Sequence, residues 1–296
     1  SLLTITTQRC LVRQYKQRLV RAGAASGRVC PNLMLAWLLG ATTYCMHPTV
    51  MHEDSKLYSA DFPGYTRKYI ADKMGESVIY LYHTGPEGDQ SPRHFIKSNT
   101  FEEAQRLGEM LGQRIVGSVL QLTDDDFKRS VDLHVQSKKT MLPKKKLPSP
   151  KEALINLENA SNRLQRLRSE AAPATDIRTA EVDYFGAEEL LDLANMLKTG
   201  ELDEIYEEIL PIEIQIITID ESLFVCLPGE MAVEYSLWIK QRIAQKCYVI
   251  GLANGILRGY IVTPELYRQG GYEASNGLFP PEAGQKIMDE VVRMIQ

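Results

Sequence analysis

Little in this sequence announces a special class of protein. Its 296 residues hold only two tryptophans, five histidines and five cysteines. The cysteines, Cys10, Cys30, Cys45, Cys226 and Cys247, are odd in number, and none falls in a Cys-x-x-Cys pair. That argues against a cysteine zinc ribbon, and a disulfide framework does not suit a chain this long; buried free thiols are expected instead. Long hydrophobic runs are missing too. The stretch from Leu33 to Ala41 is less than half the ~20 residues that span a bilayer, so no transmembrane helix is expected. The first residues lack the pattern of a signal peptide. The formal net charge of −4 is small. Mild acidity speaks against a nucleic-acid partner, since phosphate binding wants clustered Lys and Arg. No Gly-x-Ser-x-Gly elbow is present, so a standard α/β-hydrolase serine is not indicated.

What is there is ordinary for a globular protein: 44% hydrophobic and 24% charged residues. A chain of this length buries enough surface to fold without a metal or disulfide, as one large domain or two smaller ones.

Residues 1–40 show no clean period and form a poorly assigned N-terminal segment. Beyond them the pattern sharpens. Ala60 to Gly75 predicts a helix, with Pro63 near its first turn and Gly75 past its end. Glu76 to Tyr82 predicts a buried strand, followed by a Gly/Pro/Asp-dense loop from His83 to Pro92. Thr100 and Glu103 form a capping box, and Leu107, Leu111, Ile115 and Val119 trace one buried helical stripe. Ser137 to Lys151 is rich in Lys and Pro. It reads as a solvated connector or as a patch for anionic lipid or nucleic acid.

A second capping box, Ser149 to Glu152, opens a helix carrying Leu154, Leu157, Leu164 and Leu167. Another helical segment lies near Ala187 to Leu197. Ile212 to Ile219 alternates as a strand, Asp220-Glu221 turns, and Leu223 to Leu227 resumes, which predicts a hairpin. Glu230 to Gln245 reads as a helix and Tyr248 to Leu252 as a strand. The whole predicts an α/β fold, a mixed sheet flanked by helices, with a helical insertion over about 137–210.

Polar residues gather where these strands end, the usual place for function. His47 precedes a proline and is a candidate zinc ligand or a structural histidine. Gly85 to Arg93 offers the Ser91 hydroxyl and the Asp89 carboxylate in a glycine-rich loop, or simply a tight turn with Asp89 bonding its own backbone. Glu230, at a strand-to-helix junction, could ligate a metal or serve as the acidic charge at a helix N-terminus. Tyr260 and Tyr272 sit on a Gly-rich stretch, where packing is the default role.

Taken together and in order, CMHPTVM, SADFPGYTRKYI, GDQSP, LPGEM, GLANG, GYIVTPELY and GGYE, over roughly residues 41–285, resemble the neutral/alkaline, non-lysosomal ceramidase family and its bacterial relatives. The resemblance implies a ceramidase-like catalytic domain over 41–296, N-terminally incomplete. It implies hydrolysis of the amide bond of ceramide-like N-acyl lipids by metal-activated water at one zinc. By matched motifs, the zinc ligands would be His47, Glu230 and Tyr260. Ser91 would be nucleophile or positioning donor, and Tyr272 would help hold the developing oxyanion.

The family's second zinc histidine lies in an upstream His-Thr-His-Ser-Gly-Pro stretch with no counterpart here. His83, in Tyr82 to Pro86, echoes it only superficially. The resemblance further implies a lipid-like small-molecule substrate, no nucleic acid, at most peripheral membrane contact, and a secreted or periplasmic setting. The alternatives are a hydrolase of other amides or esters, and a non-catalytic lipid-binding homologue.

Overall fold

The computed structural model describes residues 39–52, 55–76, 78–123, 130–243, 245–255 and 257–296. The expectation for 1–40, and the thiols of Cys10 and Cys30, therefore fall outside the described residues, save the backbone of 39–40. The chain divides into two compact units: unit 1, Ser1–Thr84 and Ser91–Leu133; unit 2, Gly85–Gln90 and His134–Gln296.

The described residues of unit 1 run strand–helix–strand–helix. Strand β1 (Leu39–Tyr44) pairs in parallel with β2 (Ile79–Thr84), with Thr43 opposite His83. Helix α1 (Asp61–Met74) connects them, and α2 (Phe101–Val119) packs on α1. Phe62, Ile70, Tyr80, Leu111 and Ile115 form the core. The predicted stripe on α2 is thus the buried one, with Leu107 and Val119 at its margins.

Two expectations are corrected here. The second strand is not buried on both faces: Ile79 and Leu81 are exposed while Tyr80 is buried, because side chains alternate along the strand and the Tyr80 face is the one that meets the α1–α2 core. The capping box at Thr100 is only half made. The Thr100 hydroxyl accepts from the Glu103 N–H, but the Glu103 carboxylate accepts instead from the Lys97 amide at 2.8 Å and from Arg106 Nε and Nη2 at 2.8 and 2.6 Å.

Unit 2 holds a four-stranded sheet in the order β3 (Leu133–Thr140), β4 (Ile212–Ile219), β5 (Ser222–Cys226) and β7 (Lys246–Ile250). The expected hairpin is present: β4 and β5 are antiparallel, with Ile219 opposite Ser222 across a two-residue turn. Strand β7 joins β5 in parallel. Between β3 and β4 lie α3 (Pro150–Ser169), α4 (Ala174–Thr199) and α5 (Glu201–Ile209). The Ser149–Glu152 capping box is complete. The remaining helices are α6 (Val233–Arg242), α7 (Pro264–Gln269), α8 (Tyr272–Ser275) and α9 (Glu282–Ile295).

Ile214, Ile216, Val225, Leu227, Ile239, Val249 and Ile287 fill the main core. Cys226 and Cys247 are buried free thiols, and burial pushes each up to about 11. The mixed α/β architecture is as expected.

The lysine-rich stretch is a connector only in part: residues 141–149 are irregular and mostly exposed, but several of its lysines are held. Lys138 and Lys139 lie on β3. Lys144 pairs with Asp203 at 2.7 Å and covers the Tyr206 ring. Lys145 donates from its ammonium to the carbonyls of Ala274 and Ser275 at 2.6 and 3.0 Å, and burial lowers its pKa to about 8. Alternating Pro and Lys kept the segment from reading as packed; the carbonyls at the end of a short helix supply the partners that pack it.

Glu103 gives unit 1 a measurable acid sensitivity. Hydrogen bonding and ion pairing with Arg106 hold its carboxyl down at about 2, against an ordinary 4.5. A depressed carboxylate stabilises the fold fully above the unfolded value and loses that contribution as pH falls toward the folded one. Glu103→Ala is expected to cost about 2 kcal/mol at pH 7. In denaturant titrations the gap from the wild type should close between about pH 4.5 and 2; a gap unchanged at pH 2.5 would contradict the assignment.

Candidate functional site

The short parallel ladder of β6 (Glu230–Met231) with β8 (Tyr260–Ile261) carries the candidate site of unit 2. Glu230 stands opposite Tyr260 and Met231 opposite Ile261. Met231 and Ile261 are fully buried, so the alternate positions, Glu230 and Tyr260, project to the other side of the ladder, half-buried.

The Tyr260 phenol hydrogen-bonds Glu230. Burial, with the negative charge of Glu230, raises its pKa well beyond the ordinary tyrosine range. The Tyr272 ring, at the start of α8, meets Tyr260 edge-on with centroids 5.8 Å apart. Its hydroxyl is also raised, first by burial and then by the Glu189 carboxylate on α4. Both phenols are therefore protonated donors at neutral pH.

The expected helix from Glu230 begins later, at Val233, because Glu230 and Met231 are drawn into the ladder. Glu230 is thus not the acidic charge of a helix N-terminus. That end is served from elsewhere: Asp89 Oδ1 accepts the Val233 N–H at 2.7 Å, while the N-cap residue, Ala232, has no capping side chain. The loop around Asp89 is not a self-contained turn either. The Gly88 N–H donates to the Met231 carbonyl at 2.9 Å, and a Cβ on Gly88 would lie 2.7 Å from the Glu230 carbonyl. Only glycine permits that approach.

This contact places Glu87 beside Glu230. Glu87 is fully buried, and neither of its carboxylate oxygens has a hydrogen-bond partner. Burial first, and the charge of Glu230 second, push its carboxyl up to about 8, against a weak opposing pull from its own amide. Its Oε2 faces Gly251, where a Cβ would come within 3.3 Å.

The structure therefore brings Glu230, Tyr260 and Tyr272 together in unit 2. His47 and Ser91 belong to unit 1. His47 follows the C-terminal end of β1 by three residues, and its carbonyl accepts the Thr49 N–H at 2.9 Å. Ser91 is exposed, and its hydroxyl accepts the Arg93 N–H at 3.3 Å, capping the 3-10 turn Pro92–His94. His83 is the penultimate residue of β2, half-buried, with burial lowering its pKa. Among the described residues no group of three or more His, Cys, Asp and Glu side chains is arranged to hold a metal. The oxygen donors in unit 2 are two carboxylates and a phenol, a set whose chemistry suits a hard or borderline divalent cation, zinc included.

Sequence reasoning passed over Glu87, Glu189 and Asn276. Asn276 is buried and its amide lies beside Tyr272, opposing the rise in the phenol's pKa. The one signal for Glu87 was an acid held between Gly85-Pro86 and Gly88.

Two solved structures share this fold. The neutral ceramidase from Pseudomonas aeruginosa matches with a TM-score of 0.53 at 18% identity, over 86% of this chain and 43% of that one. A ceramidase complexed with C2 matches with a TM-score of 0.50 at 14% identity, over 85% of this chain and 44% of that one. The chain spans less than half the length of either, and at these identities the likeness is one of fold. No protein-family model matches the chain, and no curated protein sequence does.

The Asp89 contact is testable on its own. Asp89→Ala should lower stability by about 1–2 kcal/mol, as loss of a helix-capping acceptor does, and Asp89→Asn by less. Thermal melting of the two variants checks this; an Ala variant melting with the wild type would show the bond contributes nothing.

Proposed function

We propose that this chain hydrolyses the amide bond of ceramide-like N-acyl lipids and depends on zinc, for which Glu230 and Tyr260 of unit 2 are the carboxylate and phenol donors. The single observation that carries the reading is the pairing of Glu230 with Tyr260 across the β6–β8 ladder, with Tyr272 against the same phenol. The fold shared with two ceramidases supports it, as do the motifs on which these residues stand. Zinc, when bound, would polarise the amide carbonyl and supply a reactive water near neutral pH.

The chain's own residues do the rest. Glu230 brings a carboxylate to the site on a strand whose register is fixed by backbone bonds, so little ordering is needed when ligand arrives. Tyr272 keeps its proton at working pH because burial and Glu189 disfavour the phenolate. It is thus a standing donor for negative charge developing on the carbonyl oxygen. An apolar cavity of about 160 Å³ within unit 1, lined by Tyr44, Met46, Phe62, Phe95, Leu107 and Met110, offers a surface suited to an alkyl chain.

The decisive measurement is turnover of a fluorescent N-acyl-sphingosine by the purified chain, with zinc content determined in parallel. Zinc-dependent release of the fatty acid is expected. Tyr272→Phe should lower kcat about 10²–10³-fold, the scale for loss of one oxyanion donor, with KM little changed. Glu230→Gln and Tyr260→Phe should lose both zinc and activity. Turnover of esters or other amides in place of N-acyl lipids would move the substrate assignment. Lipid binding with no turnover at saturating zinc would make the chain a non-catalytic lipid-binding homologue and overturn the proposal.

A further inference from the structure

Glu87 is an anomaly for a folded protein. A fully buried carboxylate is normally paired with a cation or surrounded by donors, because an isolated charge is costly away from water. Here both oxygens lack a hydrogen-bond partner, and no Lys or Arg pairs with the group among the described residues. The charge that acts on it is that of a second carboxylate, Glu230, which adds repulsion to the cost of burial.

The position is not a loose end that could swing away. The Gln90 N–H donates to the Glu87 carbonyl at 2.6 Å, the Gly88 N–H to the Met231 carbonyl at 2.9 Å, and Asp89 is tied to Val233 at 2.7 Å. On the far side, Gly251 leaves just enough room for Oε2. The fold thus fixes an undercoordinated acid beside Glu230, whose partner across the ladder is the Tyr260 phenol. A divalent cation beside Glu87 would supply the charge that this acid lacks and occupy its unpartnered oxygens, with Glu230 and Tyr260 as the neighbouring oxygen donors.

We propose that Glu87 is a direct ligand of the divalent cation held by Glu230 and Tyr260, so that the site takes two carboxylates rather than one. This rests on the reading that Glu230 and Tyr260 hold a cation, and extends it to a residue that the sequence motifs do not point to.

The test is a zinc titration of the full chain, stripped with chelator, against a chromophoric competitor, beside Glu87→Gln, Glu87→Leu and Glu230→Gln. Gln matches the shape of a neutral acid; Leu removes the polar group altogether. Because the buried acid has no partner to lose, Glu87→Leu should melt at or above the metal-free wild type. Both Glu87 variants should bind zinc at least 10–100-fold more weakly, the loss already seen when only a supporting residue of a metal site is removed. They should also lose the zinc-induced rise in melting temperature.

Zinc affinity unchanged in both Glu87 variants but lost in Glu230→Gln would overturn the assignment of Glu87 and leave the Glu230–Tyr260 site standing. A Leu variant that melts well below the wild type would assign Glu87 a structural role instead. A wild type that binds no zinc would remove both readings. Zinc loss in the Glu87 variants of a chain that turns over no lipid amide would uphold the cation site and overturn only the proposed reaction.

Discussion

Two hydrogen-bonded residue pairs carry the site. The β6–β8 ladder is as short as a sheet can be, yet it decides which side chains meet. Side chains alternate along a strand, so a slip of one residue would turn Glu230 into the core and bring Met231 out in its place. The register is held by bonds flanking the ladder. The Ala232 N–H donates to the Ile261 carbonyl, Leu227 to Ile250, and Leu252 to Gly229. Met231 and Ile261, fully buried, would lose their packing in any other register. The Gly88 to Met231 bond then attaches the 85–90 loop to the same frame. The pairing of Glu230 with Tyr260 and the seat of the 85–90 loop follow from these backbone commitments.

The fold was largely legible because its elements obey local rules. The stripe at Leu107, Leu111 and Ile115 has the helical period, and the alternating isoleucines of β4 have the strand period. The Ser149–Glu152 box formed in full because nothing nearby competed for Glu152. Glu103 had the same spacing, but Arg106, one turn on, and the Lys97 amide offered its carboxylate stronger partners. A local motif gave way to a charge-assisted contact. The break at Glu230 failed to read as a strand for a similar reason: two residues carry no period, and the pairing partner lies thirty positions away in sequence.

The site was legible by type more than by membership. Glu230, Tyr260 and Tyr272 stood out on motif resemblance, and unit 2 does gather them. Glu87 did not, because an acid flanked by Gly and Pro looks like a solvated turn, and its burial is imposed by β6, more than 140 residues later. The phenols and carboxylates of this unit share one electrostatic character. Tyr260, Tyr272 and Glu87 are each shifted toward the protonated form, with burial as the leading cause and neighbouring acid as the second. The region holds these groups in their neutral forms, and Lys145, whose ammonium donates to the Ala274 and Ser275 carbonyls at the end of α8, ties down the helix that Tyr272 begins.

The close fit of Glu87 against Gly251 has an evolutionary reading. A Cβ at position 251 would meet the Gly85 carbonyl oxygen at 3.0 Å and Glu87 Oε2 at 3.3 Å, so a residue larger than glycine there presses on the loop backbone as well as on the acid, and a shorter residue at 87 relieves only the second contact. Among distant relatives that have lost recognisable motifs, a glycine retained at this strand end would mark the lineages that kept the close approach of the 85–90 loop, whether or not an acid still stands at its centre.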